Sequence, residues 1–228
     1  MEAYIIVNPK AGQSRLVGLA LSDLDKELKS RGIECDMAFT HSPGEGAALA
    51  LKAISRGYDI IIAAGGDGTV NDVANGMIGS NIPMGILPIG TVNVLARDLR
   101  IPLDPQSAIK VIAEGHCKPV DLGCADGKYF TLMAGLGFDA EVVAGVAQPV
   151  KDWIGASAYI LKGLETLTWY EATDVTLAMP DQTYTSQAFL VIVANVSRYS
   201  FSLKVAPNAS PEDRSEERRV GKECRSRW

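Results

Sequence analysis

Gly65-Gly66-Asp67-Gly68-Thr69-Val70-Asn71-Asp72 is the stretch whose reading decides the fold. Before it runs Asp59-Ile60-Ile61-Ile62-Ala63-Ala64, short, β-branched and apolar on both faces, the pattern of a strand buried in a parallel sheet. After it, Val73, Ala74, Met77 and Ile78 recur at helical spacing. The glycines therefore sit at a strand-to-helix turn, at the carboxyl end of a strand, where open α/β sheets bind ligands. Lacking Cβ atoms, they let backbone N–H groups approach a ligand closely. The helix start adds unpaired N–H groups and a partial positive charge, a combination that favours phosphate. Thr69 and Asp72 also have the spacing of a capping box. Asp67 is the informative residue: a carboxylate among phosphate-binding glycines repels the ligand unless a metal ion lies between them or it accepts a substrate proton. Asp-Gly is a common turn pair as well, but Gly65, Gly66 and Thr69 around it and the buried strand before it favour the phosphate reading. No Gly-Lys-Ser/Thr follows, so this is not a Walker A loop, and no Gly-x-Gly-x-x-Gly follows the first strand.

Working outward, Tyr4–Val7 reads as a first strand ended by Asn8-Pro9-Lys10-Ala11-Gly12, and Leu16, Leu19, Ala20, Leu24 and Leu28 mark a helix that Gly32 terminates. Ile33–Phe39 is a second strand. Thr40 to Glu45 is a loop, and Ala47–Ile54 is helical. Met84–Leu87 is a fourth strand, followed by Pro88-Ile89-Gly90-Thr91-Val92-Asn93 and a helix from about Val94 to Leu99. Alternating strands and helices with short links predict a parallel sheet covered on both faces. Right-handed crossovers then bring the loops Asn8–Gly12, Thr40–Glu45, Gly65–Asp72 and Gly90–Asn93 to one rim, as a nucleotide site requires.

From Pro119 the texture changes. Val120–Cys124, Lys128–Met133, Asp174–Ala178 and Thr183–Asn195 read as strands, with Asp126-Gly127 a hairpin turn between the first two. A long helix from about Val150 to Leu167, with Ile154, Ala158, Ile160, Leu161 and Leu164 near its apolar face, interrupts them. The expected class is α/β: a parallel-sheet nucleotide-binding domain over residues 1–118, then an incomplete, mainly antiparallel β domain over 119–213. His41 and His116 stand in no catalytic motif context, and Trp153 and Trp169 read as packing residues.

The 228 residues suffice for a proper core, and 47% apolar with 21% charged residues is ordinary for a globular protein. A net charge of −5 gives no basic surface calling for nucleic acid. Cys35, Cys117, Cys124 and Cys224 show no Cys-x-x-Cys spacing, so free thiols in a reducing compartment are expected. With no signal peptide before Tyr4 and no run of about 18 apolar residues, the expectation is a cytoplasmic protein, at most peripheral at a membrane.

The residues now carry a likeness. Ile6-Val7-Asn8-Pro9-x-x-Gly12, the segment from Gly65 to Gly76, Leu87-Pro88-Ile89-Gly90-Thr91-x-Asn93-x-x-Ala96-Arg97 and Gly135-Leu136-Gly137-Phe138-Asp139-Ala140 together resemble the diacylglycerol kinase catalytic-domain family, bacterial lipid kinase type, which is related to sphingosine kinases. The resemblance implies transfer of the ATP γ-phosphate to a lipid hydroxyl such as that of diacylglycerol, with Mg2+, by an enzyme resting on the membrane surface. The family's nucleotide site maps onto Thr40, Gly66 to Asp72 and Thr91, with Asn8 near it. The candidate binding set is therefore Asn8, Thr40, Gly65, Gly66, Asp67, Gly68, Thr69, Val70, Asn71, Asp72, Gly90, Thr91 and Asn93, with Asp67 as the catalytic carboxylate. Which carboxylates hold magnesium stays open, as does the oligomeric state, a homodimer included.

Two departures from the family bear on activity. The family often carries Asp after the Gly-Thr-x-Asn motif, where this chain has Val94, so magnesium held through that Asp would need other ligands here. The likeness also stops at about Asp213. Residues 214–228 carry six basic and three acidic residues without an apolar period, and they read as a translated sequencing adapter, since AGATCGGAAGAG encodes Arg-Ser-Glu-Glu. On that reading the tail is non-native and the chain is a truncated, inactive copy lacking the family's downstream general base. The alternatives are a nucleotide-binding protein without catalysis, or a soluble NAD or sugar-phosphate kinase. Gly137-Phe138-Asp139-Ala140 and the second domain's pattern argue against the latter.

Overall fold

In the computed structural model, residues 1–11, 14–145, 165–166, 168–178, 183–201 and 203–213 are described. Four strands, β1 (Glu2–Val7), β2 (Glu34–Phe39), β3 (Ile60–Gly65) and β4 (Met84–Pro88), form one parallel sheet in the order β2-β1-β3-β4. Every residue of β3 is buried, as its continuous apolar run requires in a sheet covered on both faces. Five helices accompany the sheet: α1 (Ser14–Ser30), α2 (Glu45–Arg56), α3 (Asp67–Gly76), α4 (Val94–Asp98) and α5 (Pro105–Glu114). Ile5, Val7, Ile60, Ile62 and Leu87 form one core with Leu24 and Leu28 of α1 and Ile109 and Ile112 of α5. Ile6, Ile61 and Ala63, which the strand period of two sends to the opposite face, are buried as well.

Helix α5 adds to the elements expected from the sequence. Its start is set by Asp104, whose carboxylate accepts from Ser107 N at 2.8 Å, and by Pro105, which tolerates the first helical turn because it needs no N–H partner there. Helices α2 and α3 pack against each other at two glycines. A Cβ built on Gly76 would lie 2.3 Å from Ala47 O, and one on Gly46 would lie 2.9 Å from Asp72 Cβ.

Beyond the sheet, β5 (Gly123–Ala125) and β6 (Lys128–Phe130) pair antiparallel through Asp126 and Gly127, both at positive φ, so the expected hairpin is present. Its strands are shorter than expected. Asp121 N donates to Pro211 O at 2.7 Å, and Thr131 N donates to Asn71 Oδ1 at 2.9 Å, so these groups leave the ladder for partners far along the chain. Further on lie β7 (Met133–Gly137), α6 (Phe138–Gly145), β8 (Thr173–Ala178), β9 (Thr183–Ala188) and β10 (Leu190–Ala194), with β8 antiparallel to β9 and β7 paired to β10. The expected single strand from Thr183 to Asn195 is thus two. Gly12, Trp153, most of the helix expected at 150–167 and the segment 214–228 lie outside the described residues. By contacts the chain divides into two units, Met133–Val193 and the remainder on either side of it. Among the described residues no helix is long and apolar enough to cross a membrane.

Cys35 and Cys117 are free thiols. Burial pushes the Cys35 thiol up to about 11, while Cys117 is exposed. Because the thiolate is the nucleophile, iodoacetamide at mildly alkaline pH is expected to modify Cys35 at least about 10-fold more slowly than Cys117. Peptide mass spectrometry reads the two rates, and equal rates on the folded protein contradict the placement of Cys35.

Candidate functional site

Parallel strands end on one edge, and the chain leaves β1, β2, β3 and β4 there at Asn8, Thr40, Gly66 and Ile89. The ladder extends one residue past three of the strands. Asn8 N donates to Ala64 O at 3.0 Å, Thr40 N to Val7 O at 2.8 Å, and Ile89 N to Gly65 O at 3.1 Å. Thr40 Oγ1 also donates to Val7 O at 3.4 Å.

The β3–α3 and β4–α4 loops meet backbone to backbone. A Cβ on Gly90 would lie 2.3 Å from Gly66 Cα and 2.7 Å from Asn93 Oδ1. One on Gly65 would lie 2.4 Å from Thr69 Oγ1. Asn93 is buried in the left-handed region (φ 53°), which Asn tolerates better than most residues. Its Oδ1 accepts from Gly90 N at 3.1 Å, and its Nδ2 donates to Gly90 O at 2.9 Å and Pro88 O at 3.2 Å. One amide side chain thus fixes the whole Pro88–Gly90 turn. Thr91 is exposed in this turn.

Helix α3 begins from Gly66, extended at φ −93° and ψ −172°, with no side-chain cap. Its first i→i−4 bond runs from Val70 N to Gly66 O at 3.1 Å. The amides of Asp67, Gly68 and Thr69 precede that bond, so no intrahelical carbonyl satisfies them. Val70 differs, because its side chain is buried and its amide is already bonded. Asp67 is half-buried, and its Oδ1 accepts from Leu95 N at 3.1 Å, tying α3 to α4. Its other oxygen has no protein partner among the described residues.

The capping-box reading of Thr69 and Asp72 fails, because Thr69 lies inside the helix. Its buried Oγ1 accepts from Asn8 Nδ2 at 3.2 Å, and Asp72 Oδ2 accepts from Gly44 N at 2.7 Å. Glu45 organises the adjacent loop: its Oε2 accepts from His41 N at 2.7 Å and Ser42 N at 3.2 Å, and these bonds hold its carboxyl below the usual range. Asn71 Oδ1 accepts from Thr131 N, which leaves only the amide NH2 of Asn71 for a ligand. Sequence reasoning gave Asn75 no separate role. It forms a two-way pair with Tyr129, donating to its carbonyl at 2.9 Å and accepting from its N–H at 3.2 Å, and so joins α3 to β6.

The structure therefore gathers Asn8, Gly65, Gly66, Asp67, Thr69, Gly90 and Asn93 at one rim, beside first-turn amides of α3 that no intrahelical carbonyl satisfies. Among the described residues no group of three or more His, Cys, Asp or Glu forms a metal cage. Magnesium in phosphate sites is commonly held by one or two carboxylates together with substrate phosphates, and the open oxygen of Asp67 fits that arrangement.

Comparison with known proteins now bears on identity. The diacylglycerol kinase catalytic domain matches residues 2–125, and the YegS C-terminal NAD kinase beta sandwich-like domain matches residues 133–215. The chain is 35% identical to the diacylglycerol kinase of Staphylococcus saprophyticus over 213 residues, covering 92% of this chain and 70% of that protein. It is also 35% identical to that of Staphylococcus haemolyticus, covering 64% of that protein. A solved diacylglycerol kinase structure from Bacillus anthracis str. Sterne superposes with a TM-score of 0.72 at 29% identity, over 93% of this chain and 72% of that one. Two domain matches in order and relatives of this identity settle the matter: the chain belongs to the diacylglycerol kinase catalytic-domain family.

Proposed function

We propose that this protein is an ATP-dependent lipid kinase that transfers the γ-phosphate of ATP to the hydroxyl of a lipid such as diacylglycerol, leaving ADP. In this reading residues 1–118 hold the nucleotide and residues 119–213 contribute to the lipid side. The observation that carries it is the uncapped start of α3, where Gly66 meets the backbone of Gly90 and the first-turn amides stand beside Asp67. Phosphoryl transfer asks a protein for alignment and charge stabilisation more than for covalent chemistry, and amides at a helix start supply both. Gly65, Gly66 and Gly68 admit the phosphates, Asn93 and Asn8 hold the two turns rigid, and Thr40 and Thr91 flank the nucleotide. Magnesium, when bound, would neutralise phosphate charge. Asp67 would hold it jointly with the phosphates, its position set by the Leu95 N–H.

The test pairs two measurements on the same protein: calorimetric titration with Mg-ATP, and transfer of labelled phosphate from ATP to diacylglycerol dispersed in detergent. Saturable binding with lipid labelling is expected. Binding without transfer to any lipid alcohol is the outcome that the truncated, inactive reading of the sequence expects and supports a nucleotide-binding protein, and labelling of NAD or a sugar phosphate without detergent supports a soluble kinase.

A further inference from the structure

Two polar paths leave the glycine rim and end on the same short segment, residues 195–198. The first runs through two asparagines of α3 that lie four residues apart and so share a helix face. Asn71 Oδ1 accepts from Thr131 N at 2.9 Å and from Thr131 Oγ1 at 3.3 Å, and Asn75 pairs both ways with the backbone of Tyr129. Thr131 and Leu132 in turn hold Asn195. Its Nδ2 donates to Thr131 O at 2.9 Å and to Asp121 O at 2.8 Å, and its backbone N donates to Leu132 O at 2.8 Å. The second path runs through α4. Asp67 Oδ1 accepts from Leu95 N at the start of that helix. Asp98, its last residue, accepts from Ser197 N at 2.6 Å, Ser197 Oγ at 3.2 Å and Arg198 Nε at 3.0 Å. The Asp98 side chain is only 6% exposed, so these charge-assisted bonds are shielded from water.

Both paths arrive where the chain passes from one unit to the other. The unit Met133–Val193 is joined to the remainder at two peptide bonds, Leu132–Met133 and Val193–Ala194. Leu132 is the last residue before the first junction and Asn195 the second residue after the other, and they are bonded to each other backbone to backbone. Asn195 and Val196 are fully buried. Asn195 Oδ1 has no hydrogen-bond partner among the described residues. A buried amide oxygen left unpaired costs stability, so packing alone does not account for an asparagine at this position. Its NH2 group accounts for it, by joining the carbonyls of two separate segments at Asp121 and Thr131.

We infer that Asn195 and Asp98 are positioning residues: acting through Thr131 and through α4, they make the nucleotide helix and the two junctions of Met133–Val193 one cooperative unit. A nucleotide seated on α3 then also fixes the chain where it enters and leaves the segment assigned above to the lipid side. The inference rests on the nucleotide reading of the α3 start. A ligand slows a local opening only when that opening dismantles the ligand's site. The experiment is hydrogen exchange on the full chain, with and without Mg-ATP at 100 times its dissociation constant, read by mass spectrometry on peptides covering 128–132 and 194–198. Exchange about 100-fold slower with nucleotide is expected in both peptides, against little change in β2, which neither path reaches. Asn195→Ala should leave Mg-ATP affinity unchanged, because rare openings hardly deplete the native state. It should keep the slowing at 128–132 and lose it at Asn195 and Val196, and Asp98→Ala should lose it at Ser197 and Arg198. A merely structural role would speed exchange with and without nucleotide alike and leave their ratio intact, an outcome that overturns the inference. Thermal unfolding checks that each variant folds; either serves if the other does not, and the parent alone decides if neither does. In the parent, nucleotide binding with no slowing at 194–198, or with equal slowing along the whole chain, overturns the relay and leaves the nucleotide reading standing. Absence of Mg-ATP binding by calorimetry overturns both.

Discussion

Replacing Asp67 with Asn should lower phosphate transfer by at least about 10^2-fold while the fold stays intact, the scale expected when one preorganised charge is removed from a transition state. The fold survives because Asn keeps an oxygen where Asp67 Oδ1 accepts from Leu95 N, so the link between α3 and α4 remains. What disappears is the negative charge. Two nucleotide titrations separate the causes. With magnesium, Asp67→Asn should bind ATP more weakly, because the carboxylate no longer helps hold the ion. With magnesium chelated, it should bind ATP more tightly than the parent, because a carboxylate that repels bare phosphate has been neutralised. The crossing of the two affinities is the signature of a metal-facing acid. If parent and variant transfer phosphate equally, or if the two affinities change in parallel, Asp67 is a turn residue and the site assignment fails.

The second large effect concerns two glycines in the same rim that should behave oppositely. Gly90→Ala puts a methyl group 2.3 Å from Gly66 Cα, and neither backbone can give without moving its own strand. Overpacking of that kind costs about 1–3 kcal/mol, and the displaced turn also misplaces Asn93. For a domain of this size, a melting temperature lower by roughly 2–4 °C per kcal/mol is expected, together with loss of nucleotide binding. Gly68→Ala adds its methyl where nothing lies within 4 Å, at a helical position where Ala is favoured over Gly by about 0.5–1 kcal/mol. It should leave the melting temperature unchanged or higher and still weaken ATP binding, because the methyl occupies the surface the phosphates need. Calorimetry and thermal unfolding on the two variants check both statements. Should Gly68→Ala bind ATP as the parent does, the amides of the first turn are not where the phosphates sit.

These contrasts indicate what a reading of the chain can and cannot reach. The β3–loop–α3 unit was legible because each signal in it is local: a buried apolar run, glycines, then helical spacing. The Asp126-Gly127 hairpin was legible for the same reason, since φ > 0 at two consecutive positions selects for Asp/Asn and Gly. The same local logic misled at Thr69 and Asp72. Their spacing suits a cap, but Asn8 and Gly44, far away along the chain, offered better partners. Helix α5 lies outside the elements expected from the sequence although its signals are local: Asp104-Pro105 at its start and Ala108, Ile109 and Ile112 at helical spacing.

By itself the sequence determined the alternation of strands and helices, the parallel sheet, the rim on which the polar loops gather and the family to which the chain belongs, because these rest on periodicity and on turn chemistry within a few residues. Tertiary structure alone decided that Gly66 meets Gly90, that Asn75 pairs with Tyr129 and that Asp98 clamps Ser197 and Arg198. The physical reason is that a buried polar group must find a partner, and which partner it finds depends on which distant segments the packed core brings within hydrogen-bond reach.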